Sequence, residues 1–153
     1  MRILTLVLLL FAFNVSAETR IEVGPTFLSD DYAEGQMAVM TERVGKWDFS
    51  YIYVTEQDAW PGWEKRHGFG PAHLERNSAI HIQRIWKWKK AEFGFGVARW
   101  ANTSRALGHK TTYPLMIGWN FNKHLSLRVR HYSNAGSATP NLGQDAVTIG
   151  WTF

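Results

Sequence analysis

Along much of the chain, large apolar side chains recur at every second position, with small or polar side chains between them. Val147, Ile149, Trp151 and Phe153 share one parity, and Ala146, Thr148, Gly150 and Thr152 the other. Successive strand side chains point to opposite faces, so this spacing predicts a strand with one apolar face. Leu125, Leu127 and Val129 alternate with Ser126, Arg128 and Arg130 in the same way. So do Tyr113, Leu115, Ile117 and Trp119 with their neighbours, and Phe93, Phe95 and Val97 with Gly94, Gly96 and Ala98. Extended along the chain, the pattern predicts eight strands, near 19–29, 35–44, 46–56, 78–89, 91–100, 111–121, 124–133 and 145–153. The second and fourth are the least regular, because Arg43 and Arg84 interrupt any apolar face.

The connections sort by length. Gly45, Lys89-Lys90 and Asn122-Lys123 form tight turns, whereas Ser29 to Gly35, Gln57 to Asn77, Ala101 to Lys110 and Asn134 to Gln144 are longer links. Short and long links alternate, as in an up-and-down transmembrane barrel with periplasmic turns and extracellular loops. The predicted fold is therefore all-β, an eight-stranded antiparallel transmembrane barrel. Arg128 and Arg130 would then point into an interior filled by side chains, which argues against a pore. Eight Trp, nine Phe and five Tyr suit the aromatic girdles of such barrels.

The first residues sharpen the assignment. Met1-Arg2, the apolar stretch Ile3 to Phe13 and the small-residue site Val15-Ser16-Ala17 read as a secretory signal peptide over residues 1–17. One barrel domain over 18–153 follows. The chain has no cysteine, so backbone pairing and packing alone must stabilise this exported domain. The net charge of +4, one unit of it from Arg2, is mild, and the basic residues are scattered. That distribution suits an anionic surface and excludes nucleic acid as the expected partner.

Candidate chemistry concentrates near the C-terminus. If odd strands run outward from the periplasm, residues 131–145 sit at the outer leaflet. His131 and Ser133 share the parity of Leu125, Leu127 and Val129, and Asp145 that of Val147 and Ile149. Three polar groups on an apolar wall require a reason, and acyl transfer supplies one. An imidazole activates the Ser133 hydroxyl, a carboxylate fixes the imidazole tautomer, and Asn134 with the Ala135-Gly136 backbone could stabilise an oxyanion.

These residues resemble the PagL-type outer-membrane lipid A 3-O-deacylases. The resemblance lies in His131-x-Ser133-Asn134 at the end of the penultimate strand, an acidic residue one loop later and a final strand ending in an aromatic. It implies hydrolysis of the ester-linked 3-position acyl chain of lipid A, the lipid of lipopolysaccharide, in the cell outer membrane. Ser133 would be the nucleophile, His131 the base, Asp145 the orienting acid, and Asn134 with Gly136 the oxyanion hole. It implies no metal and no cofactor. Asp145 is one methylene shorter than the Glu usual in that family, which puts its reach to His131 in question. Lys65, Arg66, Arg105 and Lys110 are candidate contacts for lipid A phosphates, with solvated loop charges the alternative. The remaining histidines read as loop or interior residues. A non-catalytic barrel serving adhesion or membrane integrity is the competing function, and a soluble periplasmic lipid-binding barrel a third. The sequence leaves a homodimer open.

Overall fold

Period-two patterning becomes a closed ring of paired strands. The computed structural model describes residues 17–28, 31–58, 73–103, 107–139 and 141–153. The expected leader, apart from Ala17, and Lys65, Arg66 and Arg105 lie outside the described residues. Eight long strands form the barrel: β1 (Glu18–Leu28), β2 (Asp31–Val44), β3 (Trp47–Val54), β6 (Asn77–Trp88), β7 (Ala91–Trp100), β8 (Thr111–Asn120), β9 (Leu125–Ser133) and β10 (Gln144–Thr152). Two-residue strands β4 (Gln57–Asp58) and β5 (His73–Leu74) pair within the link between β3 and β6. All neighbouring pairs are antiparallel, and β1 bonds to both β2 and β10, which closes the ring.

The predicted strands are present, with two differences. The ladder between β1 and β2 continues past an irregularity to Leu28 opposite Asp31, so β2 starts four residues earlier than expected and its link to β1 is short. The link after β3 carries the additional β4–β5 ladder, held to the barrel by the pairing of Asp58 with Glu34. Neither feature has an alternation long enough to show in the sequence.

Parity divides the wall as expected. On β8, Met116 is 2% exposed and Ile117 61%. The outside carries Ile21, Val23, Tyr51, Ile80, Trp86, Phe93, Leu115, Ile117, Val129, Ile149 and Trp151, all exposed. Close neighbours demand small residues inside: a Cβ on Gly96 would lie 2.0 Å from the Ile82 carbonyl oxygen, so only glycine lets β7 approach β6 there.

The interior has two halves. Toward the long links, Leu28, Met37, Val39, Ile52, Val54, Trp100, Leu107 and Tyr132 belong to one apolar cluster, with the Trp100 and Tyr132 rings edge to face at 5.6 Å. Toward the short turns, seven buried residues make an alternating ionic chain. Arg130 bonds Glu22 at 2.6 Å, Glu22 bonds Arg20 at 2.8 Å, and Arg20 bonds Asp48 at 3.0 Å. Asp48 then bonds Arg43 at 2.6 Å, Arg43 bonds Glu92 at 2.7 Å, and Glu92 bonds Arg128 at 2.8 Å. Arg128 and Arg130 therefore fill the lumen, as their parity predicts. Every carboxylate in the chain is shared by two guanidiniums.

Sharing makes the carboxylates hard to remove. Asp48 accepts from Arg20, Arg43 and, at 3.4 Å, Gln83 Nε2. Asp48→Ala would leave two buried guanidiniums short of a counter-charge, so it should destabilise the barrel by about 3–5 kcal/mol. The check is the urea midpoint of the purified barrel in detergent, read from the gel mobility of unheated samples.

Candidate functional site

Strand register gathers the candidate residues at the long-link end of β9 and β10. Asp145 on β10 is directly opposite His131 on β9, while Leu115 and Tyr113 on β8 oppose His131 and Ser133. Directly opposed positions bring Cβ atoms to about 4.5–5.5 Å. An aspartate is long enough at that separation: its Oδ1 lies 2.8 Å from His131 Nδ1. The shorter acid therefore reaches the ring, because the two positions face each other across the ladder. Both side chains are partly exposed, 43% for His131 and 28% for Asp145. The contact engages Nδ1, and Nε2 is the other nitrogen of the ring.

Ser133 follows His131 by two residues, so their side chains leave β9 on the same side, roughly 6.6 Å apart along the strand. Tyr132, between them, points the other way and is fully buried against Trp100 and His81. The nucleophile candidate and its base candidate thus share one anchor in the apolar half of the lumen.

Past Ser133 the chain reverses. Ala135 and Gly136 take φ of +53° and +76°, and Ser137 N–H donates to Asn134 O at 3.1 Å. Two consecutive positive φ values under such a bond are the signature of a type I′ turn. Gly136 adopts this conformation freely, whereas Ala135 does so at a cost on the order of 1 kcal/mol. The turn aims Ala135 N–H at Ser133 Oγ, 3.0 Å away.

Asn134 points inward and is buried. Its Nδ2 donates to Leu107 O at 2.6 Å and Ala138 O at 2.8 Å, and its Oδ1 accepts from Gly136 N–H at 2.8 Å. The side chain of Asn134 therefore fastens the turn to the link between β7 and β8, and the Gly136 amide completes that fastening.

A residue that sequence reasoning missed takes the position beside the hydroxyl. Asn141 Oδ1 accepts from Asn134 N–H at 2.9 Å, which fixes the orientation of the amide. Its Nδ2 lies 3.1 Å from Ser133 Oγ, and the Ser133 hydroxyl donates to its Oδ1 at 3.2 Å. Asn141 belongs to the link between β9 and β10, where no parity marks it. The one available signal was its place in the loop that spans the distance from Ser133 to Asp145.

Of the phosphate candidates, Lys110 is exposed beside the start of β8. His81 is fully buried, and His109 and His124 bond backbone groups. Met37 is packed inside and Met40 is exposed on the wall.

Comparison with known proteins gives a consistent picture. The family model PagL, described as lipid A 3-O-deacylase, matches residues 36–153, from β2 to the C-terminus. The lipid A deacylase PagL of Bordetella bronchiseptica (strain ATCC BAA-588 / NCTC 13252 / RB50) is 33% identical over 92 residues, which cover 54% of this chain and 52% of the relative. The match thus spans about half the length of that curated relative. The crystal structure of the outer membrane enzyme PagL superimposes with a TM-score of 0.54 at 17% identity, covering 89% of this chain and 98% of that one. At that identity the likeness is one of fold.

Proposed function

The chain belongs to the PagL family of lipid A 3-O-deacylases, and from that premise we propose that it is an outer-membrane esterase that removes the 3-position acyl chain of lipid A. Ser133 is the nucleophile, His131 the base and Asp145 the orienting acid. The observation that carries this reading is the His131–Asp145 hydrogen bond at 2.8 Å, two residues along β9 from a serine whose Oγ receives two donors.

Asp145 holds the Nδ1 proton, so Nε2 can take the proton of Ser133 as Oγ attacks the ester carbonyl. The carbonyl oxygen becomes negative in the tetrahedral intermediate and needs donors in place beforehand. Asn141 Nδ2 and the positive-φ turn at Ala135-Gly136, whose amides form an anion-binding concavity, meet that need. In this reading Asn134 braces the turn, and Gly136 N–H joins the oxyanion site if its bond to Asn134 opens on substrate binding. The imidazolium then protonates the departing sugar oxygen. A water, deprotonated by the same imidazole, releases the fatty acid and restores Ser133.

The outward parity of all three groups supports a site that faces the membrane. Its neighbours on the wall are Tyr113, Leu115 and Val129, all exposed, and an acyl chain lying along them would stay in hydrocarbon while its ester reached Ser133. An apolar belt of this extent would drive aggregation in water, which supports membrane embedding over a soluble carrier.

Mass spectrometry of lipid A from cells expressing the protein tests the activity. The expected spectrum lacks one hydroxyacyl chain, ester-linked at position 3; an unchanged spectrum, with folded barrel in the membrane, contradicts the reading. Asn141→Ala should lower kcat by about 10²–10³-fold with a small change in KM, as expected for a lost oxyanion donor. Steady-state kinetics on purified lipid A in detergent provides the check.

A further inference from the structure

Charge is sparse on the outer wall. Among the described strand side chains with outward parity, the lysines and arginines are Arg84 and Arg99 alone. Arg99 lies toward the long-link end, where it donates to Thr111 Oγ1 at 2.7 Å. Arg84 lies at the opposite end, and its setting differs.

Arg84 on β6 is opposite Trp47, the first residue of β3, and the next residue, Ile85, donates its N–H to Lys46 O at 2.8 Å. The side chain is therefore level with the Gly45-Lys46 turn. Its guanidinium carbon is 5.9 Å from the Trp47 ring centroid and 5.7 Å from that of Trp86. At the next turn, Lys89 Nζ is 5.7 Å from the Trp88 ring. Among the described residues no carboxylate pairs with Arg84. Lys87 is committed to Glu92 at 3.5 Å, and the outward carboxylate Glu42 lies beyond β3, bonded by Thr19 Oγ1 at 2.8 Å.

We propose that Arg84, cradled by Trp47 and Trp86 and level with the turn that carries Lys46, binds the headgroup phosphate of an anionic phospholipid in the leaflet at the short-turn end. This inference requires the barrel to be membrane-embedded but does not require it to be an esterase. An outward cation among indoles is costly in hydrocarbon and inexpensive where a phosphate meets it. Guanidinium offers phosphate two parallel N–H donors, and the flanking rings hold it in place before the lipid arrives. Tryptophans settle at headgroup depth, which sets the guanidinium at the level of the phosphates. Lys46 adds charge that favours an anionic over a zwitterionic lipid.

Native mass spectrometry of the detergent-solubilised folded barrel tests this, with phosphatidylglycerol and phosphatidylcholine of identical chains supplied in equal amounts. Wild type should retain phosphatidylglycerol preferentially. Arg84→Gln should cut that preference about fivefold, Arg84→Lys should keep most of it, and Lys46→Gln should give a smaller loss. Equal retention of the two lipids by wild type would overturn the proposal, as would a preference unchanged in both Gln variants. Displacement of phosphatidylglycerol by millimolar inorganic phosphate would also overturn it, by marking a site for free phosphate. Should Arg84→Gln fail to fold, Lys46→Gln on the exposed turn still decides the matter. Deacylation of lipid A in detergent by Arg84→Gln should match wild type, so loss of the lipid site and failure of the esterase reading are told apart.

Discussion

Ser133→Ala should abolish lipid A deacylation, with kcat falling on the order of 10⁴–10⁶-fold, while the barrel stays folded. The size follows from the serine's place in a unit: without the hydroxyl, imidazole and carboxylate have no proton to move, and the remaining donors bind a carbonyl that nothing attacks. Stability should change little, because the Ser133 side chain is partly exposed at the barrel rim and its bonds reach only Ala135 and Asn141. Kinetics on purified lipid A and the gel mobility of unheated protein separate the two effects. A variant that still folds and still deacylates would remove Ser133 from the mechanism.

Asp145→Asn should be nearly as damaging, with kcat lower by about 10³–10⁴-fold and KM little changed. The amide conserves shape, but it removes the charge that stabilises the imidazolium and can present N–H to Nδ1, which favours the wrong tautomer. The contact at stake is the 2.8 Å bond between two directly opposed strand positions. That register also predicts the response to a longer acid. Asp145→Glu must fit an extra methylene into a gap that the aspartate already spans, so it should retain partial activity rather than exceed wild type.

Much of this could be read from the chain itself, and the limits have physical causes. A strand period of two reports side, so the shared side of His131 and Asp145, opposite the buried Tyr132, and the inward placement of Arg128 and Arg130 followed from counting. Arg43 and Arg84 looked alike as interruptions, yet one points inward to Asp48 and Glu92 and the other outward to two tryptophans. Both strands form regardless, because each is hydrogen-bonded on both sides by neighbours whose pattern is clean. The partners within the ionic chain were not legible, since pairing across the lumen depends on closure of the ring.

Loop chemistry was hidden for a different reason. Asn134 was legible as polar and adjacent to the serine, but its amide is directed by carbonyls at Leu107 and Ala138, one of them in another link. Asn141 lies in a stretch without period, and only the fold of the link brings its Nδ2 to Ser133 Oγ. The fit of a short acid depended on register, which the turn and loop lengths set jointly.

The claim on which the rest depends is that Ser133 is a nucleophile activated through His131. Purified barrel in detergent, treated with a long-chain fluorophosphonate and analysed by peptide fragmentation, tests it most directly. The expected result is one covalent adduct on Ser133 that disappears in His131→Ala. A barrel that deacylates lipid A while Ser133 stays unmodified, or an adduct that forms equally without His131, would contradict it.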